Sequence, residues 1–101
     1  MIEMLVGLNI TNEEGYANYR AGMTPLLEAA GGGFGYDFRV AETLKSETDE
    51  KINRVFTIYF PDSETMNKFF SNSEYLDIKK EHFEGAVAST TIMQTYKRKE
   101  S

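Results

Sequence analysis

The sequence predicts an α+β domain of β-α-β-β-α-β order. Apolar residues alternate at period two in some stretches and recur at three- and four-residue spacing in others, and turn or capping residues separate the two kinds. Ile2, Met4, Val6, Leu8 and Ile10 alternate with Glu3, Gly7 and Asn9, while Leu5 leaves the second face partly apolar. That pattern suits a central strand. Thr11 or Asn12 can cap a following helix, and Glu13 and Glu14 in its first turn complement the helix dipole. Tyr16, Tyr19, Met23, Leu26, Leu27 and Ala30 form one helical face. Pro25, with Gly22 and Thr24 ahead of it, predicts a kink or a restart capped by Thr24.

The glycine-rich run Gly31-Gly32-Gly33-Phe34-Gly35 follows that helix and precedes a strand. A phosphate-cradling loop requires the opposite order, with the helix N-terminus after the glycines. The run therefore reads as a helix stop, with Gly31 or Gly32 as the left-handed cap. In the second strand Phe34, Tyr36, Phe38 and Val40 alternate with Gly35, Asp37, Arg39 and Ala41. Plain alternation predicts Tyr36 and Phe38 toward the helices and Asp37 away from them. Lys45 to Lys51 is a charged hairpin connection. The third strand has Phe56, Ile58 and Phe60 on one face and Val55, Thr57 and Tyr59 on the other, and Pro61 ends it.

Asp62 or Ser63 opens the next helix, which carries Met66, Phe69 and Phe70. Ser73 can cap a further segment with Tyr75, Leu76, Ile78 and Phe83 inward, and Gly85 can close it. Ala86 to Tyr96 is the last strand, rich in Thr, Val, Ile and Ala. The order is that of the split βαβ, ferredoxin-like pattern: a four-stranded antiparallel sheet with both helices on one face. The uncovered face still shows Leu5, Val55, Tyr59, Val87 and Met93, so a homodimer with facing sheets is expected.

Composition limits the functional classes. A chain of 101 residues with 41% apolar content suits a single domain, here residues 1–96, and 97–101 read as a flexible C-terminal tail. A net charge of −5 disfavours nucleic acid and anionic membranes as partners. With no cysteine, disulfides, thiolate nucleophiles and Cys-based zinc sites are excluded. Neither a signal peptide nor a transmembrane run is apparent, so a cytoplasmic location is the expectation.

Candidate site residues are few. His82 is the single histidine and the best general base by residue type, with Tyr16 beside it as a catalytic candidate. The plainer reading of a lone histidine is structural. Tyr16, Tyr19, Arg20, Phe69, Phe70, Tyr75 and His82 can wall a small aromatic pocket between sheet and helices; tyrosines at helical spacing are also ordinary core residues. Asn9, Asp37, Arg39 and Tyr59 form a candidate polar patch on the dimer face, for which a rim ion pair is the simpler explanation. Glu42 and Arg54 can pair across the hairpin if Phe38 opposes Ile58. Glu47, Asp49 and Glu50 lack metal-site spacing, so no metal is expected. No cofactor is expected either, since His82 is the single imidazole that could ligate haem.

Glu14-Gly15-Tyr16, Tyr19-Arg20, Pro25-Leu26-Leu27 with Gly31-Gly32 after it, Phe60-Pro61 and Ser73-Glu74-Tyr75 together resemble the domain-of-unknown-function 1330 family, from about Met1 to Tyr96. The resemblance implies a dimeric α+β barrel, the architecture also used by antibiotic-biosynthesis monooxygenases, and no established activity. Family members commonly carry Arg after the Gly-Gly pair and Arg in the last helix; this chain has Gly33 and His82 there. Three functions follow as expectations: a homodimer binding a small, aromatic metabolite; a cofactor-free monooxygenase or isomerase; or a structural or protein-interaction dimer.

Overall fold

The computed structural model describes residues 1–98. It consists of strand β1 (Ile2–Ile10), helix α1 (Glu13–Ala29), strands β2 (Gly33–Arg39) and β3 (Arg54–Phe60), helices α2 (Ser63–Ser71) and α3 (Ser73–Ile78), a π-helical turn over Lys79–Phe83, and strand β4 (Val87–Lys97). The strands form one sheet in the order β2-β3-β1-β4, all neighbours antiparallel. This is the ferredoxin-like α+β fold. The core lies between the sheet and α1, where Leu8, Tyr16, Met23, Leu27 and Phe60 are fully buried.

Local chemistry sets the element ends. The Asn12 side chain accepts from the Gly15 N–H to start α1, and the Asp62 side chain accepts from the Thr65 N–H to start α2. Asn72 rather than Ser73 caps α3, accepting from the Glu74 and Tyr75 N–H groups. Helix α1 runs through Pro25 as one continuous helix, so of the expected kink or restart the restart does not occur. Thr24 Oγ1 donates to the Arg20 carbonyl at 2.6 Å instead of acting as a cap. The helix closes as foreseen at Gly31, where φ is 83°: its N–H donates to the Glu28 carbonyl and the Gly32 N–H to the Leu27 carbonyl. Gly85 is not in the left-handed region and supplies no such cap. Leu76, expected inward, is exposed.

Strand β2 departs from plain alternation. Phe34 stands opposite Ile58 and Asp37 opposite Phe56, so Gly35 and Tyr36 together face Thr57. The extra residue is a β-bulge, and the Thr57 hydroxyl accepts the Tyr36 N–H at 2.8 Å. Everything beyond the bulge is thereby reversed. Asp37 faces the helices, while Phe38, opposite Val55, points away from them with Tyr36 stacked on it at 6.0 Å. This is the reverse of the expected orientation for all three residues. Because Phe38 opposes Val55 and not Ile58, the Glu42–Arg54 pair does not form; Arg54 bonds Asp37.

Strand β4 carries two similar irregularities, at Ala88 and Met93. Val87 pairs with Ile10 and is buried in the core, not on the open face. The strand continues through Lys97, and the Arg98 N–H donates to the Met1 carbonyl, so the first residues of the expected tail belong to the sheet. The remainder, 99–101, lies outside the described residues.

The β2–β3 connection is anchored by Asn53. Its side chain accepts from the Ile10 N–H at 2.8 Å and donates to the Ile10 carbonyl at 2.8 Å, completing the end of β1 where β3 has not yet begun. Replacing Asn53 with Ala should lower unfolding free energy by about 1–3 kcal/mol, since partly buried backbone groups lose their partners. Urea titration measures it; a loss within the noise would mean that water replaces the amide.

Candidate functional site

A cavity of about 310 Å³ lies between the sheet and the helices. Its floor is Met4, Val6 and Leu8 of β1 with Phe56 and Ile58 of β3, and Phe34 of β2 and Thr90 and Ile92 of β4 flank it. Tyr16, Tyr19, Arg20 and Met23 enter from α1, one helical face at three- and four-residue spacing. Phe70, Tyr75, Lys79 and Phe83 close it from the second helical region. The last two stand at the ends of the π-helical turn, where the Glu84 N–H reaches back to the Lys79 carbonyl.

The sequence-predicted pocket residues divide accordingly. Tyr16, Tyr19, Arg20, Phe70 and Tyr75 come together around the cavity. Phe69 is buried against Phe60 and Tyr75 and borders a different hollow, with Leu26 and Lys68. His82 does not line the cavity; its imidazole is partly exposed, with Nε2 3.9 Å from the Glu81 carboxylate. A histidine within the π-helical turn faces a direction that ordinary helical counting misplaces. The remaining lining residues, Phe34, Phe56, Lys79, Phe83 and Ile92 among them, were not foreseen at the pocket. For Phe83 the signal was present in its inward helical spacing, and for Lys79 there was none.

The polar groups form two clusters. Arg54 grips Asp37 with both prongs, Nε to Oδ1 at 2.7 Å and Nη2 to Oδ2 at 2.9 Å, and Arg20 Nη1 adds a contact at 3.3 Å. Arg20 Nε donates to the Tyr16 hydroxyl at 2.7 Å, and the guanidinium lies 3.8 Å from the centre of the Phe34 ring. Arg20 Nη2 is closed to water and has no hydrogen-bond partner. Deeper in, the Tyr19 and Tyr75 hydroxyls bond each other at 2.8 Å.

The expected polar patch on the open face does not assemble as a unit. Asn9 and Tyr59 lie on that face, the latter beneath the Arg98 guanidinium at 4.4 Å. Asp37 and Arg39 are on the helix side, because the bulge precedes both. What the open face does hold is a buried carboxylate that sequence reading passed over. Glu3 accepts from the Tyr96 hydroxyl at 2.6 Å, and its other oxygen is 4.0 Å from Arg98 Nε.

Burial pushes the Tyr16 hydroxyl above its ordinary pKa despite the Arg20 and Arg54 charges. Burial does the same to Tyr19 and Tyr75. All three are therefore protonated near neutrality and are not bases. The hydrogen bonds from Arg54 hold the Asp37 carboxyl below the usual aspartate value, with the Arg20 charge adding to them against desolvation. For a lowered carboxyl, the stabilisation is complete above the unfolded pKa of about 4 and is lost as pH falls through the folded value. Wild-type stability should therefore drop below about pH 4 by an increment absent from Asp37→Asn. Thermal melts of both proteins from pH 7 to 2.5 check this, and parallel curves would remove Asp37 from the acid response.

The family model described as "Domain of unknown function (DUF1330)" matches residues 4–96. The chain belongs to this DUF1330 family. No curated protein matches its sequence. Among solved structures, a protein of unknown function from Rhodopseudomonas palustris is 21% identical, with a TM-score of 0.83 over 99% of this chain and 83% of that one. A dabb family protein with a ferredoxin-like fold from Mesorhizobium loti is 12% identical, with a TM-score of 0.66 over 98% and 97% of the two chains. An Arabidopsis thaliana protein has a TM-score of 0.66 at 11% identity, covering 100% of this chain and 98% of that one. At these identities the likeness is one of fold. Among the described residues of this DUF1330 chain, no group of three His, Asp or Glu side chains could hold a metal ion, and no helix is long and apolar enough to cross a membrane.

Proposed function

We propose that this DUF1330 protein is a cytoplasmic homodimer that binds a small, aromatic or apolar metabolite in the cavity between sheet and helices. The observation that carries the reading is the cavity itself. Its size is at the lower end of the range for small-molecule sites, and apolar walls with a few convergent polar groups are the usual make-up of one. A purely structural dimer has no use for such a space beneath its helices.

Catalysis by a monooxygenase or isomerase route would need a base beside the substrate. His82 stands outside the cavity and Tyr16 is held protonated, so binding is the better supported reading. Protein-observed NMR with a library of small aromatic fragments, neutral and anionic, tests it. Binders that shift the resonances of Tyr19, Phe56 and Phe83 are expected; binders confined to other surfaces, or none, would refute the reading.

Support for the dimer comes from the open sheet face, where Tyr36 and Phe38 are 64% and 56% exposed next to half-buried Val55, with half-buried Leu5 further along the same face. Equilibrium sedimentation should give twice the chain mass, and Phe38→Glu should shift it toward the monomer. A wild-type monomer at micromolar concentration would sink this part of the proposal.

A further inference from the structure

Apart from the Thr90 hydroxyl, which can donate or accept, the polar groups of the lining each have a hydrogen to give, and this bears on what enters the cavity. Arg20 Nη2 is unpartnered. The Tyr16 oxygen accepts from Arg20, which leaves the Tyr16 hydrogen without an acceptor among the described residues. Of the paired Tyr19 and Tyr75 hydroxyls one donates to the other, so one hydrogen of that pair is likewise unspent. Lys79 adds a cation at the wall, its Nζ 5.8 Å from the Phe83 ring centre.

Acceptors are scarce by comparison. The nearest carboxylate, Asp37, is not part of the lining and is occupied by the two prongs of Arg54 and by Arg20. Charge is unequal as well. Arg20 and Lys79 line the cavity, no acidic residue does, and Asp37 is shared between two guanidinium groups. A neutral hydrocarbon would leave these donors unsatisfied in an apolar space, which is costly.

We propose that the ligand of this cavity is a small organic carboxylate on a one-ring aromatic or branched apolar body, its charged end taken by Arg20 and the Tyr16 hydroxyl. This rests on the binding reading above and specifies its ligand class. The body lies among Phe56, Phe70 and Phe83, and the carboxylate sits at the α1 wall. Because Arg20 Nη2 is closed to water, this binding requires the guanidinium to shift over the Phe34 face toward the ligand oxygen. Charge-assisted bonds in a site of low polarity give the anion its advantage over a neutral molecule of the same shape.

The test compares benzoate, phenylacetate and 3-phenylpropanoate, each against its own primary amide, by isothermal titration calorimetry with the full chain at pH 7. The best-fitting carboxylate should bind at least about tenfold tighter than its amide, the difference a charged hydrogen bond makes. Arg20→Met should erase that ratio while leaving amide binding in place, and Lys79→Met should reduce it. Should Arg20→Met fail to fold, the wild-type ratio alone decides. Amides that bind as well as the acids would overturn the carboxylate assignment and leave the cavity reading standing. No binding by either set, with no neutral fragment found in the cavity by NMR, would overturn both.

Discussion

Replacing Phe60 with alanine is expected to lower the unfolding free energy by about 3–5 kcal/mol. Phe60 is at 0% exposure and stands on β3 opposite Ile2, with the Phe69 and Phe70 rings each 5.4 Å from its own. Truncation removes the transfer energy of the ring and leaves a void that neighbouring aromatic rings fill poorly. A domain of this size has roughly 5–15 kcal/mol in total, so the variant should be marginal at room temperature. It should also loosen α2, and with it Phe70, which borders the cavity. Urea unfolding measures the loss, read as a lower midpoint at unchanged slope. A change below about 1 kcal/mol would mean that α2 does not rest on β3 as described.

The second large effect is expected at Gly32. A Cβ there would lie 2.5 Å from the Tyr59 carbonyl oxygen and 2.7 Å from Leu27 Cδ1, and the first of these is backbone and cannot rotate away. Gly32→Ala should therefore cost about 1–3 kcal/mol by forcing β2 from β3 at its first residue. Gly85→Ala is the control: no atom lies within 4 Å of its would-be Cβ, and its change should stay within about 0.5 kcal/mol of zero. Because Phe34 follows two residues after Gly32, the Ala variant should also weaken binding of any fragment found in the cavity. Equal stability of the two variants would show that the α1–β2 turn has slack that the close contact denies.

These sites also mark how far sequence reading reaches. The strand and helix order, the helix stop at Gly31 and the caps at Asn12 and Asp62 follow from local chemistry, each fixed by residues adjacent in the chain. Tyr16, Tyr19 and Arg20 could be gathered around one space because helical periodicity puts them on one face. The orientation of Asp37 could not be read, since a bulge depends on which residue of β3 lies opposite, and a strand carries no mark of its partner's register. The Asp37–Arg54 pair was missed for that reason, and the buried Glu3 because its partners are remote in sequence. His82 and Lys79 turn on a π-helical insertion that leaves no clear trace in composition.

The irregularities of β2 and β4 have a bearing on how this chain behaves in a crowded solution. In the order β2-β3-β1-β4 these are the two edge strands, and both depart from even pleating, β2 at Gly35–Tyr36 and β4 at Ala88 and Met93. An evenly pleated edge is a template on which another chain can zip its own backbone, whereas a bulged one twists away and breaks the ladder. The same residues that turn Asp37 inward thus blunt the sheet against sideways growth. The exposed aromatics Tyr36 and Phe38 are then free for the proposed face-to-face contact while the sheet edges stay closed to further strands.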